Sequence, residues 1–551
     1  MLTPLLIGLV ALYAGSWVYR AARARQVDAA FAVQRCCQHA PTLDTGRWPF
    51  GLELITKAFR AASEQRLLRL MLDIVERTGP TFEQKLLGSR GIDTVDPVNI
   101  EALLSKQFTD FGLGERRLVF WPLLGDGIFT QDGKFWEKSR GLLRPAFQNR
   151  DQSMVQIREA ADNVVNAITS GGTIDLQPLF FRFTLETTSY LLFGQRIEAA
   201  NAEEAGDVDS FAAAFDSGQD YLAKRGRLGG LYWLIDGFDF RRQCKIVHDH
   251  LDKAIAKALH DQPSVDHNSS YSILQALVQQ TRDPKVLREQ CLNVLLAGRD
   301  TTACLLSWTF RLLARHPLVF ERCRIEVGDV GASVSEITLL RLYPSVPINS
   351  RMAVRTTTLP TGGGIDGKSP VLVREGEAVG YCPYAMHRRK DIYGPDAMDF
   401  RPERWLEHNA ELMSTVGYGY LPFNAGPRIC LGQDFALVEA SCLIVRILQR
   451  FTTLKLAADD PLEAIGDEKQ KLTLVLCSAD GCTVEHLGDP LRTPALRSPI
   501  MRRLSRHRPS SSGQVSPDDV NIRPDEEMLP AEGEVSEEIA DRKDWVSSSP
   551  C

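Results

Sequence analysis

The chain has 551 residues, 44% of them hydrophobic and 24% charged, which is enough apolar content for a sizeable core. Its formal net charge of -6 lacks the basic surplus of a dedicated nucleic-acid binder, so no nucleic-acid partner is expected. The twelve cysteines are scattered, without C-x-x-C or zinc spacing, and read as a reducing, cytosol-facing environment, not a disulfide framework.

The first segment differs from the rest. Residues 2–19, LTPLLIGLVALYAGSWVY, carry no charge and are about long enough to cross a bilayer as a helix. Arg20, Arg23 and Arg25 follow at once, and positive charge after a first span keeps that side in the cytosol. No basic stretch precedes the span, as it would in a cleaved secretory signal. Residues 1–25 are therefore expected to be a single-pass membrane anchor held in the lipid bilayer. Residues 26–487 read as one globular unit. Helical periodicity dominates, as in DQSMVQIREAADNVVNAITS at 151–170, and strand-like pieces such as SPVLVREGEAVGYC at 369–382 are few. The expected class is mainly α with small β-sheets. From about 488, arginines cluster among Pro and Ser, and then acidic residues accumulate with little apolar content. Residues 488–551 cannot bury enough surface to offset ordering entropy and are expected to form a disordered tail.

Five motifs follow in chain order. In WEKSR, Trp136 and Arg140 are four apart, on one helix face. A long apolar helix from 287 is interrupted by AGRDTT, residues 297–302. Gly298 there costs about 1 kcal/mol relative to alanine, and Asp300, Thr301 and Thr302 put polar groups into a Leu-rich pattern. Such a local irregularity marks function. RLYPSVPINSR (341–351) and FRPERW (400–405) come next. The last is FNAGPRICLGQDFALVEA (423–440), in which Phe423, Gly426, Arg428, Cys430, Gly432 and Ala436 form F-x-x-G-x-R-x-C-x-G-x-x-x-A. The glycines let a loop pass tightly against something flat. A helix starting just after Cys430 aims its N–H groups at the sulfur and favours thiolate. Arg428 is placed to pair with an anionic group. One thiolate and a planar anionic cofactor point to haem, with Cys430 as the iron ligand.

This loop resembles the haem-binding loop of the cytochrome P450 family, and the resemblance extends over roughly residues 30–485. It implies the P450 fold and haem b (iron protoporphyrin IX) held through Cys430, with Phe423 and Gly432 in the same loop. It implies that Gly298 shapes a groove over the haem, that Thr301 acts on oxygen and that Asp300 relays protons. Trp136, Arg140, Arg351 and Arg428 would bind the haem propionates. Arg341 and Arg404 would belong to a structural Glu–Arg–Arg network. Val346, Pro347, Ile348 and Asn349 match a substrate-contacting strand, and His387 matches either a haem-edge position or an ordinary histidine.

The pattern is broken in one place. The family carries E-x-x-R where this chain has Thr338 three residues before Arg341, and Glu336 lies on the wrong helix face. Residues 318–340 are also too few for the two helices the family fits there. A block missing around 330–337 is the simplest account, and it motivates a reading of the chain as a degenerate or mis-assembled homologue.

The resemblance implies a monooxygenase. The thiolate donates electron density to iron, so that oxygen can be inserted into an unactivated C–H bond. The chain has no flavin or nicotinamide fingerprint: TGGGIDG, residues 361–367, reads as a turn between strands. Electrons are expected from a separate NADPH-dependent reductase at the endoplasmic reticulum membrane. Several segments resemble the fungal branch that hydroxylates the terminal carbon of n-alkanes and fatty acids, a lipophilic substrate class. A haem-thiolate isomerase or dehydratase is the other enzymatic alternative, and Asp300 with Thr301 argues against it.

Overall fold

The structure is a computed structural model that describes residues 2–148, 154–168, 172–194, 202–260, 272–329, 340–407 and 415–486. The expected tail at 488–551, the Thr338 position and the 330–337 gap lie outside the described residues. The chain opens with α1 (Leu2–Gln34), which contains the expected anchor. Leu12, Tyr13, Val18 and Tyr19 of α1 are exposed. Among the described residues, no helix is long and apolar enough to cross a membrane.

The class is mainly α with small sheets, as the periodicity indicates. The largest sheet holds β1 (Thr81–Leu86), β2 (Ser89–Thr94), β3 (Phe111–Gly112), β4 (Asn349–Ala353) and β5 (Ala378–Tyr381), in the order β1-β2-β5-β4-β3. Only the β2–β5 pair is parallel. The residues at 361–367 turn between the paired strands Thr357–Gly363 and Ser369–Val373, as expected from sequence.

The helices that shape the site are α2 (Arg116–Leu124), α3 (Gly133–Leu143), α4 (Gln177–Phe193), α5 (Ala202–Leu228), α6 (Pro284–Arg315) and α7 (Gln433–Arg450). The longest is set by its ends. The Asp283 carboxylate accepts from the Lys285 and Val286 N–H groups, and Pro284 sits where its missing N–H costs nothing. At 32 residues, α6 spans about 48 Å.

This helix threads two apolar clusters. Leu287 to Leu296 join one with Leu191 of α4, Phe215 of α5 and the helix Phe238–His260. Ala303 to Ala314 join the other with Leu443 and Ile447 of α7 and with Val379 of β5. Residues 297–302, the polar irregularity, fall at the junction. Gly298 has a packing reason to be there. A Cβ on it would lie 2.6 Å from Thr188 Oγ1, so its absence lets α4 come close. That places the bare side of Gly298 against α4, a role the sequence reading assigned to the cofactor.

The hairpin Gln470–Leu472/Leu476–Ser478 lies along α6. Trp308 Nε1 donates to the Leu476 carbonyl at 3.0 Å, and the Leu476 N–H donates to the Ser345 carbonyl at 3.0 Å. Ser345 Oγ in turn donates to the Thr301 carbonyl at 2.9 Å. The 345–348 segment is thereby tied to the 297–302 stretch of α6, which is helical throughout, so the break expected from sequence is one of polarity and not of backbone.

Candidate active site

The Cys430 loop is held from within. The Cys430 N–H donates to the Phe423 carbonyl at 3.0 Å. Gly426 has φ +67°, and a Cβ there would sit 1.9 Å from the Leu104 carbonyl oxygen. The tight passage foreseen at this glycine is therefore against the protein's own backbone. The helix after the loop, α7, begins at Gln433 with Gly432 as its cap, so its first turn lies slightly farther from Cys430 than expected. The Gly432 N–H still reaches the sulfur and, with Arg140, favours its thiolate. Cys430 is exposed at its surface, yet the protein atoms crowded around it strip water from the thiolate, and this desolvation wins, so the Cys430 thiol is pushed up from its ordinary value. The helix terminus therefore does not ionise Cys430 by itself. A metal ion held by Cys430 would supply the missing stabilisation, because a bound thiol gives up its proton.

Four guanidinium groups converge beside this loop. Arg428 donates to the Asp132 carboxylate at 2.6 Å and to the Gln131 carbonyl at 2.9 Å, and stacks 4.4 Å over the Trp136 ring. Arg140 lies 5.8 Å from the same ring and donates to the Ile429 carbonyl at 2.9 Å. Arg351, carried by β4, donates to the Ser350 carbonyl at 2.8 Å and to Asn349 Oδ1 at 3.3 Å, and its buried Nε has no partner. Arg116, at the start of α2, donates to Asn349 Oδ1 at 2.6 Å and to the Ser350 carbonyl at 3.1 Å. The Asn349 amide thus sits between two arginines, where the sequence reading assigned it to substrate. Desolvation, with repulsion from Arg351 and Arg428, pulls Arg116 down to about 10. Arg428 is likewise pulled down to about 10, mainly by desolvation, with Arg351 and Arg140 adding to the shift.

A cluster of like charges with an orphaned buried donor fits an anionic ligand and is hard to justify without one. The donor set suits haem: Cys430 would hold the iron, and Trp136, Arg140, Arg351, Arg428 and Arg116 would hold the propionate edge. Arg116 was not singled out from the sequence. Its only signal is a run of three charged residues, in GERR, leading into an apolar stretch. A hydrogen bond to a charged group is worth about 1.5–3 kcal/mol. Arg116→Ala is therefore expected to speed haem transfer to a scavenging apoprotein about ten- to a hundredfold. An unchanged transfer rate removes Arg116 from the cradle.

On α6, Thr301 Oγ donates to the Ala297 carbonyl at 2.6 Å, the back-bond a hydroxyl makes when no other acceptor competes. Asp300 is buried and pairs with Arg299 at 3.1 Å. Burial raises Asp300 to about 6, with Arg299 opposing. Arg299 also reaches Asp216 of α5 and stacks 5.2 Å over Phe181 of α4. Asp300 can thus take and release a proton near neutral pH, beside Thr301. Asp300→Asn is expected to lower product formation about a hundredfold, typical of losing a proton donor. It should also abolish the limb of the pH–rate profile near 6, with electron consumption persisting. A retained limb would exclude the relay. Val346 is 39% exposed and Ile348 packs on the core, both on the segment that Ser345 ties to Thr301.

The sequence reading did not single out Glu439. It lies on α7, fully buried, and accepts a hydrogen bond from Thr187 of α4, while its Oε2 has no partner among the described residues. Burial raises its carboxyl to about 8, so it is protonated at neutral pH.

Arg341 and Arg404 form a second arginine cluster, joined to the Cys430 loop through His387 and Leu421. Arg404 pairs with Asp396 at 2.8 Å. Arg341 is fully buried and donates to the carbonyls of His387 at 2.7 Å, Ala397 at 2.6 Å and Asp399 at 3.1 Å. Among the described residues, it has no carboxylate in ion-pair range. Desolvation, aided by Arg404 and Arg388, pulls it down to about 9. Among the described residues, the Arg341 charge is met by these backbone dipoles and by the Tyr393 ring, 5.1 Å away. His387 is a core residue. Its Nδ1 bonds the Arg341 carbonyl at 3.0 Å, and its Nε2 accepts from the Leu421 N–H at 2.8 Å. Both ring nitrogens are spent on backbone, and burial pulls His387 down to about 3.

Comparison with known proteins adds a further finding. Residues 47–474 match the family described as Cytochrome P450. The chain is 52% identical over 484 residues to a "Cytochrome P450" of Arthroderma benhamiae, covering 83% of this chain and 93% of that protein. It is 42% identical over 495 residues to "Cytochrome P450 52A13" of Debaryomyces hansenii, covering 83% and 93%. It is 43% identical over 440 residues to "Cytochrome P450 52A5" of Candida maltosa, covering 74% and 82%.

Proposed function

The chain belongs to the cytochrome P450 family, and from that premise we propose that it hydroxylates the terminal carbon of fatty acids or n-alkanes at the endoplasmic reticulum membrane. It is an oxidoreductase of the monooxygenase class, whose haem iron is bound through a cysteine thiolate. When bound, the haem supplies oxygen activation. The residues named above supply the rest. Cys430 holds the iron, the four arginines and Trp136 fix the propionate edge, Asp300 passes protons, and Thr301 orients them. Electrons come from a separate NADPH-dependent reductase on the cytosolic side, and the apolar start of α1 anchors the chain in the bilayer. The single observation that carries this reading is the convergence of Arg116, Arg140, Arg351 and Arg428 on the Cys430 loop. The segments that resemble the terminal-hydroxylating branch support the choice of substrate.

The test is an optical spectrum of the reduced protein under carbon monoxide, followed by turnover with a reductase, NADPH and a saturated fatty acid or alkane. A strongly red-shifted Soret band and a terminally hydroxylated product are the expected results. A red-shifted band with product only from other lipophilic compounds would move the substrate. Turnover without NADPH or oxygen would favour isomerase chemistry.

A further inference from the structure

Two buried thiols lie outside the chemistry described so far. Cys304 Sγ and Cys477 Sγ are 3.0 Å apart, on two elements separated by 173 residues. Cys304 is 1% exposed and Cys477 is 7% exposed. With Val475 they form a small cluster of their own, against which Phe181 of α4 packs. We propose that Cys304 and Cys477 form a peroxide-responsive dithiol whose closure to a disulfide fastens the 470–478 hairpin to α6 beside the active site.

The placement gives the pair its consequence. Cys304 lies one helical turn beyond Thr301, on the same face of α6. Cys477 lies in the strand that already touches α6 through the Trp308–Leu476 hydrogen bond and touches the 345–348 segment through Ser345. The two non-covalent ties are single hydrogen bonds, each worth about 1 kcal/mol net. A disulfide would replace exchangeable contacts with a permanent one, across the wall that Val346 and Ile348 share with α6. The closure is short. A sulfur–sulfur bond is about 2.05 Å long, so the sulfurs need approach each other by only about 1 Å.

Exposure assigns the roles. Cys304 is pushed well above its ordinary value by burial, with Cys477 and Asp300 adding to the effect, so it keeps its proton. Cys477 is the more exposed of the two, at 7% against 1%, and is the sulfur that meets peroxide first. Its sulfur gives up its proton and attacks hydrogen peroxide, the O–O bond breaks, and a sulfenic acid and water form. The Cys304 sulfur then attacks the sulfenic sulfur, and its proton leaves with the displaced hydroxide as water. Two thiols lose two electrons and two protons, and one peroxide becomes two waters. A thiol pair can restore the reduced form by exchange. The inference does not depend on which substrate the enzyme oxidises.

The test uses the haem-loaded full chain. Protein treated with hydrogen peroxide is alkylated, then denatured and digested without reductant. A peptide pair joining Cys304 to Cys477, reversed by dithiothreitol, is the expected result, and Cys304→Ser and Cys477→Ser should each lack it. Cys304→Ala and Cys477→Ala serve if the serine variants fold poorly. Hydrogen exchange at 470–478 should slow about tenfold on oxidation of wild type and stay unchanged in the variants. Unlinked thiols at a peroxide dose that oxidises the exposed Cys36 would overturn the dithiol. A crosslink with no change in exchange would overturn the fastening of the hairpin.

Discussion

Cys430→Ser leaves the fold intact and abolishes the red-shifted carbon monoxide band, with turnover falling at least about a thousandfold. The loop geometry explains why the fold survives. Its anchor points are the Cys430 N–H, the backbone at Gly426 and the Arg428 side chain, and none of them needs sulfur. The loss falls on the metal site. A serine hydroxyl in the same position is a far weaker donor of electron density than a thiolate. Far-UV circular dichroism checks the fold, and the reduced spectrum checks the ligand. A variant that kept the band would mean that another cysteine holds the iron. Because desolvation pushes the Cys430 thiol up, haem uptake by the wild type should also release a proton near neutral pH, and the variant should not.

The second large effect concerns Glu439 and its pH dependence. In the folded chain its carboxyl titrates at about 8, against an ordinary value of 4.5. Below about 4.5, both folded and unfolded forms carry the proton, and burial of the neutral acid is compatible with full stability. Between about 4.5 and 8, the unfolded form releases the proton while the folded form retains it, so stability falls as pH rises. Across that window the group's contribution should drop by about 3–5 kcal/mol. Glu439→Gln keeps the shape and cannot ionise. Urea midpoints of wild type and variant should therefore converge toward acid pH and separate toward pH 8, with the variant the more stable at the alkaline end. Parallel curves would show that Glu439 is already ionised in the folded state. The groups behind the shift are the burial itself and the hydroxyl of Thr187, which partly opposes it.

What was legible in the sequence had a local cause. The polar stretch at 297–302 was visible because glycine and polar residues break a Leu-rich period; the helix itself runs on unbroken, and the stretch falls between two apolar clusters. The Cys430 loop was visible because its spacing is long and specific. What could not be read depended on partners distant in sequence. Gly298 looked like a cofactor groove, and its contact is Thr188, 110 positions earlier. Gly426 looked like clearance for a flat ligand, and its contact is the Leu104 carbonyl. Arg116 and Glu439 carried no motif. They matter because β4 brings Asn349 to one, and α4 brings Thr187 to the other. His387 could be read in either of two ways, and only its two backbone partners decide between them.

The four converging arginines have a consequence for the life of the protein in the cell. Without its anionic partner, the chain carries mutual repulsion that weakens the region joining β4, α2 and α3. A ligand that binds only the folded form stabilises it by mass action. A chain waiting for haem is thus the more frequently opened one, and proteases act on opened chains. The abundance of this enzyme is expected to follow haem supply even at constant transcription, with starvation for iron shortening the half-life of the newly made protein.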